Sequence, residues 1–551
     1  MALLIDLFGY LSVILHGLTI VAQSMALGGI LFLIFLARPF ADALGTVGDD
    51  ILRRTRRIAG WSAVALIVCE AATIALQGAV LVGTVDLSFA DVMSADFAIA
   101  GQIKILAAAL LVVLAFGFPN TPRPVLAGVV LLELAAATLT THANARLEDR
   151  VPLLIVEGLH QLGAAIWIGG IPSFIMALGR CHDGMAWRKV GKRFSQMSTV
   201  GVACILVSGA TMTYLYVGDL PGFYGTAYGV MVGAKMAMFA GLLCLGAMNY
   251  LLVERLRTNP TTPITRLKRF AEVEIGIGFT LFFAAASLTS VAPAIDLSTD
   301  RVTWNEIVER NTPQMPVLTS PDHAALALPA LQQKLDQEAE AQKKNPPSAF
   351  VPGSGDLPPR NLDDIRWSEY NHHWAGLFVV LMGVLALANQ AKLVQPVTKH
   401  WPLVLLGLAV FLFLRSDPEV WPLGEEGFWE SFRDVEVVQH RMFVALTVIF
   451  GLFEWRVRVG GLAKTRAALV FPLMTALGGA LLLTHQHAIA NVKDQLLIEL
   501  THTPLALASV AAGWSRWLEI RLDPPGNKIA GWIWPACFIF IGFLLLSYRE
   551  I

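Results

Sequence analysis

Residues 124–142 read PVLAGVVLLELAAATLTTH, an apolar run that begins directly after Arg123 and ends on His142. An α-helix rises about 1.5 Å per residue, so a run of this length just crosses a hydrocarbon layer of about 30 Å. Backbone amides cannot stay unpaired in lipid, and a helix pairs them within one segment. The stretch therefore predicts a transmembrane helix, and similar runs recur along nearly the whole chain.

The composition indicates the same class of protein. The chain is 55% hydrophobic and 15% charged, which is more apolar surface than a water-soluble core can bury. We expect an all-α fold, a polytopic membrane protein of about 14 transmembrane helices. The predicted spans are residues 8–36, 58–82, 97–117, 124–142, 153–178, 195–217, 229–253, 270–290, 372–391, 401–415, 437–455, 467–485, 496–514 and 530–548.

Charge and polarity predict orientation and domains. Basic residues concentrate in alternate connections, for example RRTRR at 53–57, and such loops stay cytoplasmic, so both termini are expected on the periplasmic side. A long polar segment divides the spans into eight and six. We predict an eight-helix membrane domain at 1–290, a periplasmic insert or linker at 291–371, and a six-helix, histidine-rich membrane domain at 372–551.

Nine of the twelve histidines lie at the outer ends of predicted spans. We call this set the histidine layer. Its members are His16, His142, His160, His372, His373, His440, His485, His487 and His502. Imidazole binds copper, zinc and haem iron, so a one-sided layer of histidines predicts metal binding. The alternative is that single histidines simply favour a membrane interface.

Several glutamates accompany these histidines. Four lie one helical turn from a member of the layer: Glu157, Glu369, Glu436 and Glu499. A carboxylate on the same helix face can fix the tautomer of the imidazole, although Glu369 and Glu436 are equally consistent with simple solvation. Glu133 falls near the bilayer midplane, where a carboxylate is costly and indicates a functional route that Glu70 on the second span could continue.

A combination of motifs lies between residues 157 and 251. A histidine precedes Trp-x-Gly-Gly in EGLHQLGAAIWIGG, the next span opens with Arg-Phe-Ser, and the following one contains a Tyr-Gly…Lys…Asn series. The positions are His160, Trp167, Gly169, Gly170, Arg193, Phe194, Ser195, Tyr228, Gly229, Lys235 and Asn249. With these motifs the chain resembles the CopD copper-resistance family, closely over four spans and more loosely over the first four through His16 and His142.

The resemblance implies a bacterial inner-membrane protein that handles copper ions delivered from the periplasm, often by a small CopC-like copper-binding protein. Residues 372–551 lie outside the family motif, although they contain six of the nine histidines of the layer. We therefore expect a transporter rather than an enzyme, which binds copper at its periplasmic face and moves it into or across the membrane.

Two alternatives remain open on the residues alone. Haem b needs histidines on facing helices, and His372, His440, His485 and His502 could supply them in a cytochrome that passes electrons to copper, haem or quinone. Covalent haem c is excluded because the chain has no C-x-x-C-H. A di-metal carboxylate enzyme is suggested only by the two Glu-x-x-His motifs, EGLH and ELTH, which lie in different halves.

Overall fold

The computed structural model describes most of the chain. The described residues are 2–85, 87–141, 150–297, 301–321, 362–417, 420–424, 426–433, 435–484 and 492–550, with a few single positions between 333 and 344. Across this part of the chain the regular structure is helical, apart from an isolated bridge between Val420 and Glu426. The predicted all-α class is confirmed.

The first half contains eight long helices. They are α1 (Ala2–Phe32), α2 (Thr46–Val85), α3 (Asp96–Gly117), α4 (Arg123–Thr138), α5 (Arg150–Ala164), α6 (Gly184–Tyr216), α7 (Ala227–Thr258) and α8 (Thr265–Leu288). Two of them continue through a π-helical turn, α1 through Leu33–Ala37 into Arg38–Leu44 and α5 through Ala165–Gly169 into Ile171–Arg180. Such wide turns re-aim side chains and are frequent at functional sites.

The second half follows a short helix of the insert, α9 (Trp304–Asn311). Its helices are α10 (Leu362–Gln390), α11 (Val404–Arg415), α12 (Val435–Val459), α13 (Val470–Leu482), α14 (Val492–Arg521) and α15 (Gly526–Leu546). Over its described residues, each of the fourteen predicted spans overlaps one helix of the two halves. Within the described residues, nine helices are long and apolar enough to cross a membrane. A polytopic membrane protein is thus confirmed, and the count of fourteen spans stays a prediction.

Close helix crossings shape the first half. A Cβ on Gly169 would lie 1.9 Å from the carbonyl oxygen of Ser24, so this position of the motif must be glycine. On the other side of the same crossing, a Cβ on Gly28 would lie 2.3 Å from the carbonyl carbon of Gly169. The backbones of α1 and α5 therefore touch, as small residues permit between membrane helices. This contact places the π-helical turn of α5 against α1.

The two halves pack against each other through α7 and α8 on one side and α13 and α14 on the other. Met238 and Ala284 meet Leu483 and Ala506 in a shared apolar cluster. Nearer the other end of α8, Glu272 accepts hydrogen bonds from Trp517 at 2.9 Å and from Arg521 at 3.0 Å. The described part of the insert also joins both halves, since Arg301 pairs with Asp219 at 2.6 Å and the amide of Val317 donates to His373 at 2.8 Å. The division into three domains stays a prediction.

Candidate functional site

Polar side chains from four helices of the first half meet around His160. We call them the outer cluster: Gln23, Glu157, His160, Gln161, Ser208 and Lys235. Nδ1 of His160 lies 2.9 Å from Oγ of Ser208. The hydroxyl of Ser208 donates its one proton to the carbonyl of Cys204 at 2.6 Å, so Nδ1 of His160 is the donor towards Ser208. Nε2 of His160 therefore carries the lone pair that a metal ion requires.

The other members of the outer cluster form a chain of polar contacts. The amide of Gln161 donates to Glu157 at 3.2 Å, and the amide of Gln23 on α1 donates to the Gln161 oxygen at 3.1 Å. Lys235 on α7 interacts electrostatically with both Glu157 and His160. The expected Glu157–His160 pairing is thus replaced by a wider network. In this network the carboxylate of Glu157 and the ammonium of Lys235 carry opposite charges, and their attraction lowers the energy of placing both among apolar helices.

A second polar group lies deeper in the same bundle. Nε1–H of Trp167 donates to Glu274 at 3.3 Å, and the amide of Asn249 donates to the other carboxylate oxygen at 2.5 Å. Glu274 is buried on α8. Sequence reasoning missed it, although Glu274 is the glutamate further inside the apolar run of α8, two residues beyond Glu272, and a carboxylate there is a usable signal.

A cavity of about 390 Å³ adjoins this group. Its walls are mostly apolar and include Phe174 and Phe194, whose rings stack at 4.3 Å. Its polar lining residues include Glu274, Asn249, Ser195, Ser198 and Thr199. The cavity is lined by α8 and by three of the helices that form the outer cluster, namely α5, α6 and α7, so polar groups lie at two positions along one bundle.

The residues of the CopD-like motifs have two kinds of role: some hold the helices in place, and others belong to the polar groups of the bundle. Gly229 is scaffold, because a Cβ there would lie 2.1 Å from the carbonyl oxygen of Gly222. Arg193 is scaffold as well, since its Nε donates to the carbonyl of Phe35 at 3.0 Å, within the π-helical turn of α1. His160 and Lys235 belong to the outer cluster. Such a motif therefore constrains both the helix packing and the polar interior.

In the second half the structure brings His372 and His502 together. Their ring centroids are 6.3 Å apart in an edge-to-face arrangement, and the Tyr548 ring stacks on His372 at 3.9 Å. His372 lies ten residues after Leu362 and His502 ten after Val492, so both occupy the same depth from the start of their helices. Nδ1–H of His372 donates to the carbonyl of Ser368 at 2.8 Å, which leaves the lone pair on Nε2.

His373 and Glu369 make different contacts from those expected. Nδ1 of His373 accepts from the amide of Val317 at 2.8 Å, and its Nε2–H donates to the carbonyl of Tyr548 at 2.9 Å. Glu369 accepts from the amide of Glu550 at 2.9 Å. Both ring nitrogens of His373 are thus engaged by backbone groups, and metal binding by His373 would require these bonds to break.

His440 has a carboxylate partner that the sequence did not indicate. Its Nδ1 lies 2.6 Å from Oδ1 of Asp417, in the connection that follows α11. Burial acts to raise the pKa of Asp417, but the hydrogen bond and charge of His440, with the Ser416 hydroxyl and the charge of Arg441, outweigh it, and the pKa of Asp417 is lowered. Sequence reasoning missed this pair because 23 residues separate its members. A carboxylate on Nδ1 orients a metal-binding imidazole, the role expected for Glu436.

The remaining predicted residues are distributed as follows. His16 is half-buried on α1, and Glu499 is buried on α14. Glu70 pairs with Lys104, and Glu133 is fully buried on α4. His142, His485, His487 and the side chain of Glu436 lie outside the described residues. Within the part of the chain that is described, no three His, Cys, Asp or Glu side chains are grouped to hold a metal ion, so one continuous histidine site stays a prediction.

Among the described residues, His372 and His502 are the layer histidines whose rings lie close together on different helices, as haem b would need. A haem iron bound by His372 and His502 would place its macrocycle between the two rings. The Tyr548 ring already contacts both, at 3.9 Å from His372 and 6.1 Å from His502. A macrocycle would have to displace this ring, so these residues do not fit haem as they stand.

Comparisons with known proteins match the first half. Residues 188–288, which include most of α6 and all of α7 and α8, match the family described as Copper resistance protein D. The chain is also similar to Copper transport protein CutJ of Bacillus subtilis (strain 168), with 30% identity over 209 residues, 35% of this chain and 36% of that protein. It thus spans about a third of the length of the curated relative it matches. No solved structure matches the chain. The resemblance to the CopD family is therefore confirmed over residues 188–288.

Proposed function

We propose that this membrane protein binds copper ions at its periplasmic face through histidines and transports them into or across the membrane. One observation carries the proposal. The helices that match Copper resistance protein D supply Ser208 and Lys235, and both side chains interact with His160 of α5. The copper-related helices thus surround a histidine whose Nε2 lone pair is available to a metal ion.

The outer cluster is the entry site in this proposal. Imidazole binds both Cu(II) and Cu(I), and His160 would supply it. Glu157 offers a negative charge to the arriving cation, and Lys235 limits how tightly the cation is held. Trp167 lies seven residues further along α5, about two helical turns or 10 Å deeper, beside the cavity and Glu274. The ion therefore passes from the outer cluster towards this inner polar group.

The histidines of the second half form the second copper-binding region in this proposal. His372 and His502 lie at equal depth on α10 and α14. His440 with Asp417, and the remaining members of the histidine layer, extend this region along the periplasmic face. A CopC-like periplasmic protein delivers the copper, and both termini lie on the same side of the inner membrane.

Uptake of radioactive copper into vesicles that contain the purified protein tests transport. We expect His160→Ala to lower the initial rate at least tenfold, because the side chain that receives the ion is lost. His182→Ala is the matched control, since His182 is exposed in the connection between α5 and α6. Uptake at the wild-type rate by H160A, or an equal loss in H182A, would contradict this site.

A visible spectrum and metal analysis of the same preparation test the cofactor. The proposal expects bound copper without a Soret band that shifts on dithionite reduction. A strong Soret band would favour the cytochrome. Replacing His372 and His502 by Ala, separately and together, is expected to lower the copper content, and unchanged copper would remove both residues from the site.

A further inference from the structure

A buried ion pair lies in the first half, apart from the outer cluster. Nζ of Lys104 on α3 lies 2.7 Å from Oε2 of Glu70 on α2, and the two side chains are only 3% and 7% exposed. A charged pair inside the hydrocarbon region is rare and is by default functional. Ion pairs of this kind survive only when the geometry compensates for lost hydration.

A third ionisable side chain interacts with this pair. Glu133 on α4 is completely buried, and neither of its carboxylate oxygens has a hydrogen-bond partner. Lys104 and Glu70 both act on it electrostatically. We call Glu70, Lys104 and Glu133 the buried triad. It combines two carboxylates with one ammonium, so the fully ionised triad would place an uncompensated negative charge inside the bilayer.

A proton is the cation best suited to neutralise the extra negative charge of the buried triad. A metal cation needs several oxygen ligands, whereas Glu70 already binds Lys104 and only the Glu133 carboxylate is unengaged within the triad. The other helices packed against α4 are α1 and α5. The titratable groups described on these helices within the predicted spans are Tyr10 and His16 on α1 and Glu157 and His160 on α5, and the latter two bond within the outer cluster. A protonated Glu133 makes the triad neutral.

We propose that the buried triad is a proton-binding site that holds one exchangeable proton on Glu133 and releases it when a copper ion enters the bundle. The carboxylic acid of Glu133 then becomes a carboxylate and the proton passes to solvent, so part of the positive charge that copper brings is offset. The release step rests on the proposed function, whereas the proton site itself does not.

Carbodiimide labelling tests the proton site without copper. Dicyclohexylcarbodiimide enters hydrocarbon and reacts with protonated carboxyl groups, and mass spectrometry locates the adduct in the intact protein. We expect modification of Glu133 at pH 7 and its loss in Glu133→Gln. Glu274→Gln is the matched control, because Glu274 is equally buried but has both oxygens hydrogen-bonded, and it should leave the Glu133 adduct unchanged.

Two further results make the labelling decisive. Lys104→Met removes the positive charge, so Glu70 is expected to become protonated and to be labelled as well. An unlabelled Glu133 in the folded wild-type protein would overturn the proton site. Protection of Glu133 by Na⁺ or K⁺ at constant pH would also overturn it, in favour of an alkali cation.

Proton release on copper binding tests the coupling. Weakly buffered wild-type protein in nanodiscs is mixed with copper, and a pH indicator counts the protons released per copper bound. We expect Glu133→Gln to release about one proton fewer per copper bound than wild type. Equal release by E133Q would overturn the coupling, whereas a labelled Glu133 in a protein that binds no copper would refute the proposed function and leave the proton site standing.

Discussion

Replacement of Gly276 by alanine tests whether the two halves pack as described. Gly276 lies on α8 directly against Trp514 of α14. An alanine Cβ would lie 1.7 Å from Cζ2 of that indole, whereas ordinary contacts begin at 3.4 Å. The Trp514 ring would therefore have to move by roughly 1.7 Å. It packs edge-to-face on Trp517, whose Nε1–H donates to Glu272, so the ring has little freedom to move.

The expected magnitude follows from two opposing terms. Overpacking a well-filled contact lowers the free energy of unfolding by about 1–3 kcal/mol, and a clash this short with a rigid ring belongs at the upper end. Replacing a mid-helix glycine by alanine recovers roughly 1 kcal/mol of helix propensity. We expect a net loss of about 2 kcal/mol, or about 30-fold in the folded-to-unfolded ratio.

Denaturant titration in detergent micelles, followed by tryptophan fluorescence, measures this change. Gly241→Ala is the matched control, because Gly241 lies within α7 and an added Cβ would meet nothing within 4 Å. It should be neutral or stabilise by up to about 1 kcal/mol through helix propensity alone. If G276A is as stable as wild type or matches G241A, α8 and α14 do not pack at this crossing.

Three further predictions concern residues outside the membrane core or at its edge. His373→Ala should lower the free energy of unfolding by about 2–5 kcal/mol, because the amide of Val317 and the carbonyl of Tyr548 lose their hydrogen-bond partner. The apparent melting temperature measures this loss, and metal analysis measures the copper content of the same variant. Lost copper at unchanged stability would instead favour metal binding by His373. The lowered pKa of Asp417 means that its carboxylate stabilises the folded state above its unfolded pKa near 3.8 and loses this contribution as the pH falls through the lower folded value. Wild type should accordingly lose more stability than Asp417→Asn in melting curves between pH 5 and pH 2, and parallel curves would refute the stabilisation of the Asp417 carboxylate by its neighbours, of which His440 is the first. Burial raises the pKa of the Cys181 thiol to about 11, so little reactive thiolate is present at pH 8. Iodoacetamide should therefore modify Cys181 slowly in a variant that keeps only this cysteine. A rate equal to that of the unfolded protein would contradict the burial of Cys181.

Local patterns predicted the helices well. Each apolar run lies on a helix because a hydrophobic segment of sufficient length has one stable backbone conformation in lipid. The boundaries differed where charged residues extend a helix beyond the apolar run. In α2, which begins at Thr46, Asp50 pairs with Arg53 and Arg54 and supports the added turns. Hydropathy carries no information about such extensions.

Partners across helices were predicted less well. The sequence suggested Glu369 for His373 from their spacing, but the contacts that form are to backbone groups of the insert and the C-terminal segment. His440 binds Asp417 from another element. Helical spacing identifies side chains that share a face, but it does not determine which neighbouring element that face meets.

The sequence by itself determined the membrane class, the helices and the family resemblance of residues 188–288, since all of these depend on composition and on spacing along the chain. The tertiary structure decided that Glu274 joins Trp167 and Asn249, that Lys104 lies against Glu70, and that the carboxylate of Glu133 has no hydrogen-bond partner. These contacts join residues from different helices. They depend on how each helix is rotated and how deep it lies, which interhelical packing determines and hydropathy does not.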